Sequence, residues 1–185
     1  VPAAASQTES RVLPDLISTC VEAYHASQHL LVEVRKEVAN MVVRNGRIPS
    51  DLLDRHQFAA HGYAWMATYV SCLRAMAAWA ERLDGEGQFG ELESLYLQAT
   101  FGEYLAQMAG GIPMSQGEIV RPSDVGLSDD VIHAFYTPAV STLIKGGNTD
   151  AVRMRIAELI ADVEGSLWPR ELIERIRIDV GQHVG

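Results

Sequence analysis

Apolar residues recur at intervals of three and four along most of the chain, a spacing that predicts amphipathic α-helices. The first helix is expected to begin near Pro14 and Asp15, because proline fits a first helical turn and aspartate favours the positive end of the helix dipole. Asn45 and Gly46 are expected to end it after about 30 residues, a length of about 45 Å. Its predicted core stripe is Leu16, Cys20, Ser27, Leu31, Val34, Val38 and Met41.

The second predicted helix carries a very regular apolar pattern. Ser50 is a suitable N-cap with Asp51 behind it, and Asp84 and Gly85 are expected to end the helix. One face alternates steps of four and three, which predicts a seam against a neighbouring helix. The opposite face carries small residues that would allow close approach, so this helix is predicted to be the centre of a bundle. The seam comprises Phe58, Gly62, Trp65, Tyr69, Cys72, Met76, Trp79 and Leu83, and the small face comprises Ala60, Ala64, Ala67, Ser71, Ala75 and Ala78.

A third helix is predicted over residues 88–109 and is followed by Gly110 and Gly111. Glycine adopts left-handed backbone conformations without steric cost, so this pair is expected to stop the helix, with Gly110 in the left-handed position. The loop over residues 112–126 contains too much proline and glycine to continue a helix, yet it keeps apolar residues. These side chains are expected to lie on a surface, which is either the core of this chain or a partner. They are Ile112, Met114, Ile119 and Val120.

The last third of the chain is predicted to contain shorter helices. Ser128 is a suitable N-cap for a fourth helix, which Pro138 should kink or split near Phe135. Thr149 is expected to cap a fifth helix that runs to residue 164, and a short charged segment follows Pro169. No alternating strand pattern of useful length occurs, so the predicted fold is all-α, a bundle of about four long helices plus short C-terminal helices. The predicted organisation is a flexible tail over residues 1–13, the bundle over 14–148 and a C-terminal helical segment or linker over 149–185.

Composition and charge narrow the possible partners. The chain has 185 residues, enough for a substantial core in one or two domains. Its 15 basic and 24 acidic residues give a net charge of -9, which disfavours nucleic acid and anionic membrane surfaces. No apolar run approaches the roughly 20 residues that a membrane-spanning helix needs. The N-terminus lacks the pattern of a signal peptide, so a cytoplasmic location is expected. The sequence begins without methionine, as a piece of a longer chain would.

Few residues are candidates for catalysis or metal binding. Cys20 and Cys72 lie on apolar helical stripes and are expected to be buried and reduced. His25 and His29 have the spacing of metal ligands on one helix face, but no carboxylate or cysteine completes a site, so no metal is predicted. Glu118 lies in the loop and could act as an acid, although an exposed loop glutamate is the simpler interpretation. No catalytic residue is predicted.

The run GEYLAQMAGGIPMSQGEIVRPSDVGL, residues 102–127, resembles a known family. A Gln-x-x-Gly-Gly element that closes a long helix is similar to the helical C-terminal domain of acyl-CoA dehydrogenases. The longer run resembles the helical extension that precedes the catalytic body in methylsuccinyl-CoA dehydrogenases, which are flavoenzymes of the ethylmalonyl-CoA pathway. The resemblance covers residues 52–159 in outline and is strongest over residues 89–126.

In acyl-CoA dehydrogenases the glutamine and the two glycines of this element approach an FAD held by a neighbouring subunit. The resemblance therefore implies a cofactor contact at Gln107, Gly110 and Gly111. The family's flavin-holding β-domain and a segment with its catalytic glutamate find no match in this sequence, and Ile112 and Pro113 replace the usual aromatic-glycine continuation. The resemblance thus implies a non-catalytic accessory domain with no cofactor of its own. Such a domain would pack on an acyl-CoA dehydrogenase catalytic body that holds FAD, in cis or in trans, on a surface otherwise used by a second dimer.

Two other functions remain open from the sequence. The chain could be a free-standing helical interaction protein that binds a dehydrogenase-like partner, an interpretation that its unfamiliar C-terminal ending favours. It could also be a helical ligand-binding regulatory module, whose pocket would be lined by Trp65, Tyr69 and Met76. A homo-oligomer is compatible with all three functions. In none of them is this chain alone expected to oxidise acyl-CoA.

Overall fold

The computed structural model describes the backbone of residues 11–167 and the side chains of residues 11–161. Within these residues the secondary structure is almost entirely helical, so the predicted all-α fold is confirmed. The helices are α1 (Leu16–Val42), α2 (Ser50–Arg55), α3 (Gln57–Gly85), α4 (Glu91–Gly110), α5 (Asp129–Phe135), α6 (Pro138–Gly146) and α7 (Asp150–Leu167). Two short strands, β1 (Ile112–Pro113) and β2 (Ile119–Val120), form an antiparallel hairpin, and a 3-10 helix covers Pro122–Val125.

The bundle is built around the three long helices α1, α3 and α4. Helix α3 packs against both of the others, and α6 closes the bundle against α1 and α4. Their apolar side chains meet in one continuous core. The largest fully buried side chains include Phe101, Met66 and Leu73. Full burial of a side chain of this size stabilises a fold by about 1.5–3 kcal/mol, so this core accounts for the packing of the long helices.

The N-terminal end of α1 differs from the prediction. Pro14 precedes the helix, and Asp15 adopts a left-handed conformation, with φ 48°, without capping the helix through its side chain. The preceding residues are held by α4 instead: the Leu13 N–H donates to Gln98 Oε1 at 2.9 Å, and Gln98 Nε2 donates to the Arg11 carbonyl at 2.9 Å. Residues 11–13 of the predicted tail therefore lie on the bundle, whereas residues 1–10 lie outside the described part of the chain.

The turn predicted after α1 is present, although the helix ends earlier, at Val42. Asn45 and Gly46 both have positive φ, 52° and 71°. On either side of them, the Arg44 N–H donates to the Arg47 carbonyl at 2.8 Å and the Arg47 N–H donates back at 3.0 Å. The two central residues thus form a tight hairpin turn, which needs the left-handed conformations that asparagine and glycine tolerate.

The second predicted helix is two helices in the structure. His56, with φ -113° and ψ 23°, separates α2 from α3. The buried stripe of α3 is also displaced from the predicted seam, because Trp65, Met76 and Trp79 are only half-buried. The stripe that faces the core is Ala59, Gly62, Met66, Tyr69, Val70, Leu73, Ala77 and Ala80.

The small face of α3 does not pack on another helix within the described residues. Ala64, Ser71, Ala75 and Ala78 are exposed, and Ala60 and Ala67 are half-buried. The prediction that α3 is buried on two opposite faces is therefore wrong within the described part. The physical reason is that alanine is a strong helix former whose small side chain loses little by facing water, so a row of alanines does not require a partner.

The shorter helices begin largely as predicted. Pro138 divides α5 from α6 and stands at the first position of α6, where Thr137 Oγ1 accepts a hydrogen bond from the Val140 N–H at 3.3 Å. Thr149 caps α7 in the same way, accepting from the Val152 N–H at 3.3 Å. Ser128 precedes α5 without a side-chain cap. The segment predicted after Pro169 lies outside the described residues, and the division into domains stays a prediction.

Candidate functional site

The Gln-x-x-Gly-Gly element forms the end of α4 and the turn into the hairpin. Gly110 is the last helical residue, and the Gly111 N–H donates to the Gln107 carbonyl at 2.7 Å. Gly111 has φ 138°, and a Cβ there would lie 2.5 Å from Ile119 Cγ2. A Cβ on Gly110 would meet nothing within 4 Å. The prediction that Gly110 has the left-handed backbone is therefore wrong, and Gly111 is the position that requires glycine.

The helix extends one residue further than the apolar pattern indicates, which explains this displacement. Gly110 keeps helical geometry because nothing at its position forces the chain to turn. The reversal falls on Gly111, since the next residue, Ile112, must enter the core, where it is fully buried. The positive φ at Gly111 redirects the chain from the helix axis into β1, a path that a residue with a side chain follows only with strain.

The hairpin after this turn lies on the chain's own core. Ile112 and Val120 are fully buried and Met114 is 9% exposed, whereas Ile119 is 45% exposed. Val120 rests on Gly62 of α3, where a Cβ would lie 2.5 Å from its Cγ2. The sequence left open whether this loop covers the chain's own core or a partner. Ile112, Met114 and Val120 cover the core of this chain, whereas Ile119 faces solvent.

The Gln107 side chain is held at both ends by groups of this chain. Its Oε1 accepts a short hydrogen bond from the Tyr69 hydroxyl, and its Nε2 donates to Glu103 Oε1 at 2.6 Å. Asn148 Nδ2 donates to the second oxygen of the same carboxylate, Glu103 Oε2, at 2.8 Å. Arg153 Nη1 in turn donates to the Asn148 carbonyl at 2.7 Å. A polar chain therefore joins α3, α4 and the first turn of α7.

Aromatic rings lie beside this polar chain. Tyr69 and Tyr104 stack with ring centroids 4.5 Å apart, and Trp65 meets Tyr69 edge to face at 6.4 Å. Burial raises the pKa of the Tyr69 phenol above its ordinary value, and the nearby Tyr104 and Glu103 raise it further. Burial likewise raises the pKa of Tyr104. Tyr69 is consequently a neutral hydroxyl donor to Gln107 well into the alkaline range.

The sequence did not reveal that these residues form one group. The apolar pattern predicts only a packing role for Tyr69, and Glu103 has no predicted role. The signal available was the i, i+4 spacing of Glu103 and Gln107, which allows a helical side-chain pair. The contact between Tyr69 and Gln107 joins residues 38 apart and depends on how α3 packs against α4. Trp65 and Tyr69, two of the residues predicted to line the pocket of a regulatory module, contact each other edge to face, and Trp65 is half-exposed; the pocket stays a prediction.

The thiols and histidines are in different environments. Cys20 is fully buried, and desolvation raises the pKa of its thiol far above the ordinary value. Cys72 is half-buried rather than buried, and both cysteines are free. His25 faces Gln28, with Nδ1 3.2 Å from its Oε1, and His29 is exposed. Among the described residues, no three histidine, cysteine or carboxylate side chains converge as metal ligands would.

The three residues implied as flavin contacts offer unequal access. Both polar atoms of the Gln107 side chain bind within the chain, and Ile119 covers Gly111. Gly110 is exposed, with open space where its side chain would be. Among these three residues, Gly110 is therefore the one with open space beside it for another molecule. Within the described residues, the element does not form a cradle that could hold a flavin unaided.

The bundle and its Gln-x-x-Gly-Gly turn are of the type expected for a helical domain of the acyl-CoA dehydrogenases. A comparison with curated proteins finds a particular relative, the (2S)-methylsuccinyl-CoA dehydrogenase of Cereibacter sphaeroides, which is 44% identical over 158 residues. The match covers 85% of this chain but 28% of that enzyme. The predicted resemblance is thereby confirmed as similarity to one region of an acyl-CoA dehydrogenase. No protein-family profile matches the chain.

One further finding bears on the environment of the chain. None of the helices within the described residues is both long and apolar enough to cross a lipid bilayer.

Proposed function

We propose that this chain is a non-catalytic helical accessory domain of an FAD-dependent acyl-CoA dehydrogenase similar to methylsuccinyl-CoA dehydrogenase. The observation that carries the proposal is the 44% identity, which extends over 85% of this chain and yet corresponds to 28% of the relative. Nearly the whole chain thus corresponds to one part of a much larger enzyme. The domain packs on the catalytic body, either in the same polypeptide or as a separate chain.

The described residues support a structural role over a catalytic one. Their polar groups near the Gln-x-x-Gly-Gly turn are engaged with one another, as Tyr69, Gln107 and Glu103 show. The secondary structure is helical apart from two strands of two residues, so the part described contains no β-domain of the kind that holds the flavin in the family. Catalysis and the FAD therefore belong to the body in this proposal.

The flavin contact predicted at Gln107, Gly110 and Gly111 stays a prediction. The geometry favours Gly110 as the point of approach, since the other two positions are occupied by neighbouring side chains. A cytoplasmic location and a homo-oligomer also stay predictions. A free-standing protein that binds the catalytic body in trans would make the same contact. It would differ from a domain of the same polypeptide only in not being covalently joined to the body.

Two measurements test the proposed function. The protein encoded by the complete gene is purified, and its native mass and absorption spectrum are recorded. We expect a dehydrogenase body, in the same polypeptide or co-purifying, and the absorption of bound flavin. In parallel, the 185-residue chain expressed alone is expected to be helical, colourless and without acyl-CoA oxidation. A yellow or catalytically active isolated chain would overturn the accessory role, and a complete gene product without any dehydrogenase body would overturn it equally.

A further inference from the structure

An apolar groove of about 340 Å³ opens at one end of the bundle. It lies where the C-terminal end of α1, the Asn45–Gly46 turn, α2 and the first turns of α3 meet. This is also the end at which Val120 of the hairpin rests on Gly62 of α3. The groove is lined by Arg35, Val38, Ala39, Val42, Val43, Ile48, Leu53, Ala60 and Tyr63.

The rim of this groove exposes large aliphatic side chains. Val43 is 39% exposed, Ile48 is 58% exposed and Leu53 is 41% exposed. Single exposed aliphatic residues are ordinary on protein surfaces, but three that converge on one concavity form a contiguous apolar patch. Patches of this kind mark surfaces that are covered by a partner, because each buried aliphatic side chain contributes to association.

Arg35 lines the groove, and three further arginines lie within two residues of its lining residues along the chain; none of the four forms an ion pair with another described side chain. They are Arg35 in its wall, Arg44 and Arg47 beside the turn, and Arg55 at the end of α2. The chain carries a net charge of -9, so carboxylates to pair with are in excess. The acidic residues of α2, Asp51 and Asp54, form no ion pair with them. Arg11, Arg82, Arg121, Arg153 and Arg155 form ion pairs elsewhere on the surface, whereas Arg74 of α3 also has none with another described side chain.

Two candidate occupants, helix α7 and a second copy of this chain, fit the groove poorly. Helix α7 starts beside Glu103 near the middle of α4 and runs to Glu91 at its N-terminal end, where Arg155 binds the carboxylate. It therefore leads away from the groove, which lies towards the opposite end of α4. A second copy that used the same groove around a two-fold axis would bring the same arginines face to face, and like charges at short distance oppose association.

We propose that this groove receives a segment of the dehydrogenase catalytic body that presents apolar side chains flanked by carboxylates. Apolar side chains would cover Val43, Ile48 and Leu53, and the carboxylates would pair with the four arginines. The inference rests on the proposed function, and the extent of the relative beyond the matched region supplies a partner large enough. To the proposed function it adds the surface through which this chain contacts the catalytic body, and the apolar and charged groups that recognise the partner segment.

The location is tested by cross-linking in the protein made from the complete gene. Photo-reactive benzoylphenylalanine is introduced at Ile48, or at Met154 as a control, which is 61% exposed on α7 away from the groove. Irradiated samples are analysed by peptide mass spectrometry. We expect cross-links from position 48 to the dehydrogenase body and few or none from position 154.

The chemistry is tested by hydrogen exchange in the same complete protein. Ile48→Glu is expected to speed amide exchange over residues 43–55 by about 10- to 100-fold, the change that loss of one buried aliphatic anchor predicts. Arg47→Glu is expected to do the same to a smaller, salt-dependent degree. The matched controls Met154→Glu and Arg74→Glu should leave this exchange unchanged, and thermal melts confirm that all variants fold.

Each outcome decides the inference. Cross-links from position 48 to a second copy of this chain would overturn it in favour of self-association. A dehydrogenase body that is present but neither cross-links to position 48 nor responds to Ile48→Glu would overturn the groove while leaving the proposed function intact. Absence of any dehydrogenase body would overturn both.

Discussion

The two adjacent glycines at the end of α4 have different roles, which single substitutions can distinguish. Gly111 allows the chain to turn after the helix, and Gly110 has open space beside it. Gly111→Ala adds one methyl group at a residue with φ 138°, a region that residues with side chains rarely adopt. Gly110→Ala adds the same methyl group at the last residue of the helix, where it would meet no atom within 4 Å. The two variants therefore differ in backbone conformation and surroundings while their chemistry is identical.

The magnitude follows from these two environments. At Gly111 the backbone strain costs about 1–3 kcal/mol. The contact with Ile119 Cγ2, at 2.5 Å, adds little because that side chain is 45% exposed and can move aside. At Gly110 the change from glycine to alanine in a helix is neutral or stabilising by up to about 1 kcal/mol. For a chain of this size, 1 kcal/mol corresponds to about 2–4 °C in Tm.

Thermal melts followed by far-ultraviolet circular dichroism measure the difference. We expect Gly111→Ala to lower the Tm by about 2–12 °C and Gly110→Ala to leave it unchanged or raise it slightly. A larger loss at Gly110 than at Gly111 would refute the assignment and place the helix end one residue earlier. If Gly110 is also the point of approach to a flavin, Gly110→Val should alter the flavin spectrum of the complete enzyme without a matching fall in Tm.

Three further predictions concern the core and its titratable groups. In urea unfolding, Met66→Ala should lower the free energy of unfolding by about 2–5 kcal/mol. Trp65→Ala should lower it by less than the roughly 3–5 kcal/mol typical of a buried tryptophan, because Trp65 is only half-buried, and equal losses would place Trp65 in the core. Because the pKa of Tyr69 is raised in the folded state, its contribution to stability is complete below the ordinary phenol pKa and is lost as pH rises through the folded value. Tyr69→Phe should therefore flatten the fall in stability above about pH 10, and an unaltered profile would contradict the raised pKa that burial gives this phenol. A thiol reagent should label Cys72 in the folded protein and Cys20 only on unfolding, and rapid labelling of Cys20 in native conditions would show that its burial is incomplete.

The sequence by itself determined that the chain is helical and where several of the breaks between helices fall. Apolar spacing of three and four residues can be read from local sequence alone. The same is true of the turn at Asn45 and Gly46 and of the division at Pro138, which follow from backbone conformational limits. The Gln-x-x-Gly-Gly element and the longer run around it sufficed to find the related region of a methylsuccinyl-CoA dehydrogenase. They did so without showing what each residue contacts.

The tertiary structure decided which side of each helix is buried and which polar groups meet. Adjacent residues of a helix differ by about 100° in direction, so a pattern of mixed alanines and aromatics is compatible with two neighbouring stripes, and packing against α1 and α4 selected Met66 over Trp65. Gln98 binds residues 85 and 87 positions away, and Tyr69 binds Gln107 across two helices. Such partners become neighbours only when the helices pack. The same holds for Gly111, whose positive φ is imposed by the entry of Ile112 into a core that other elements build.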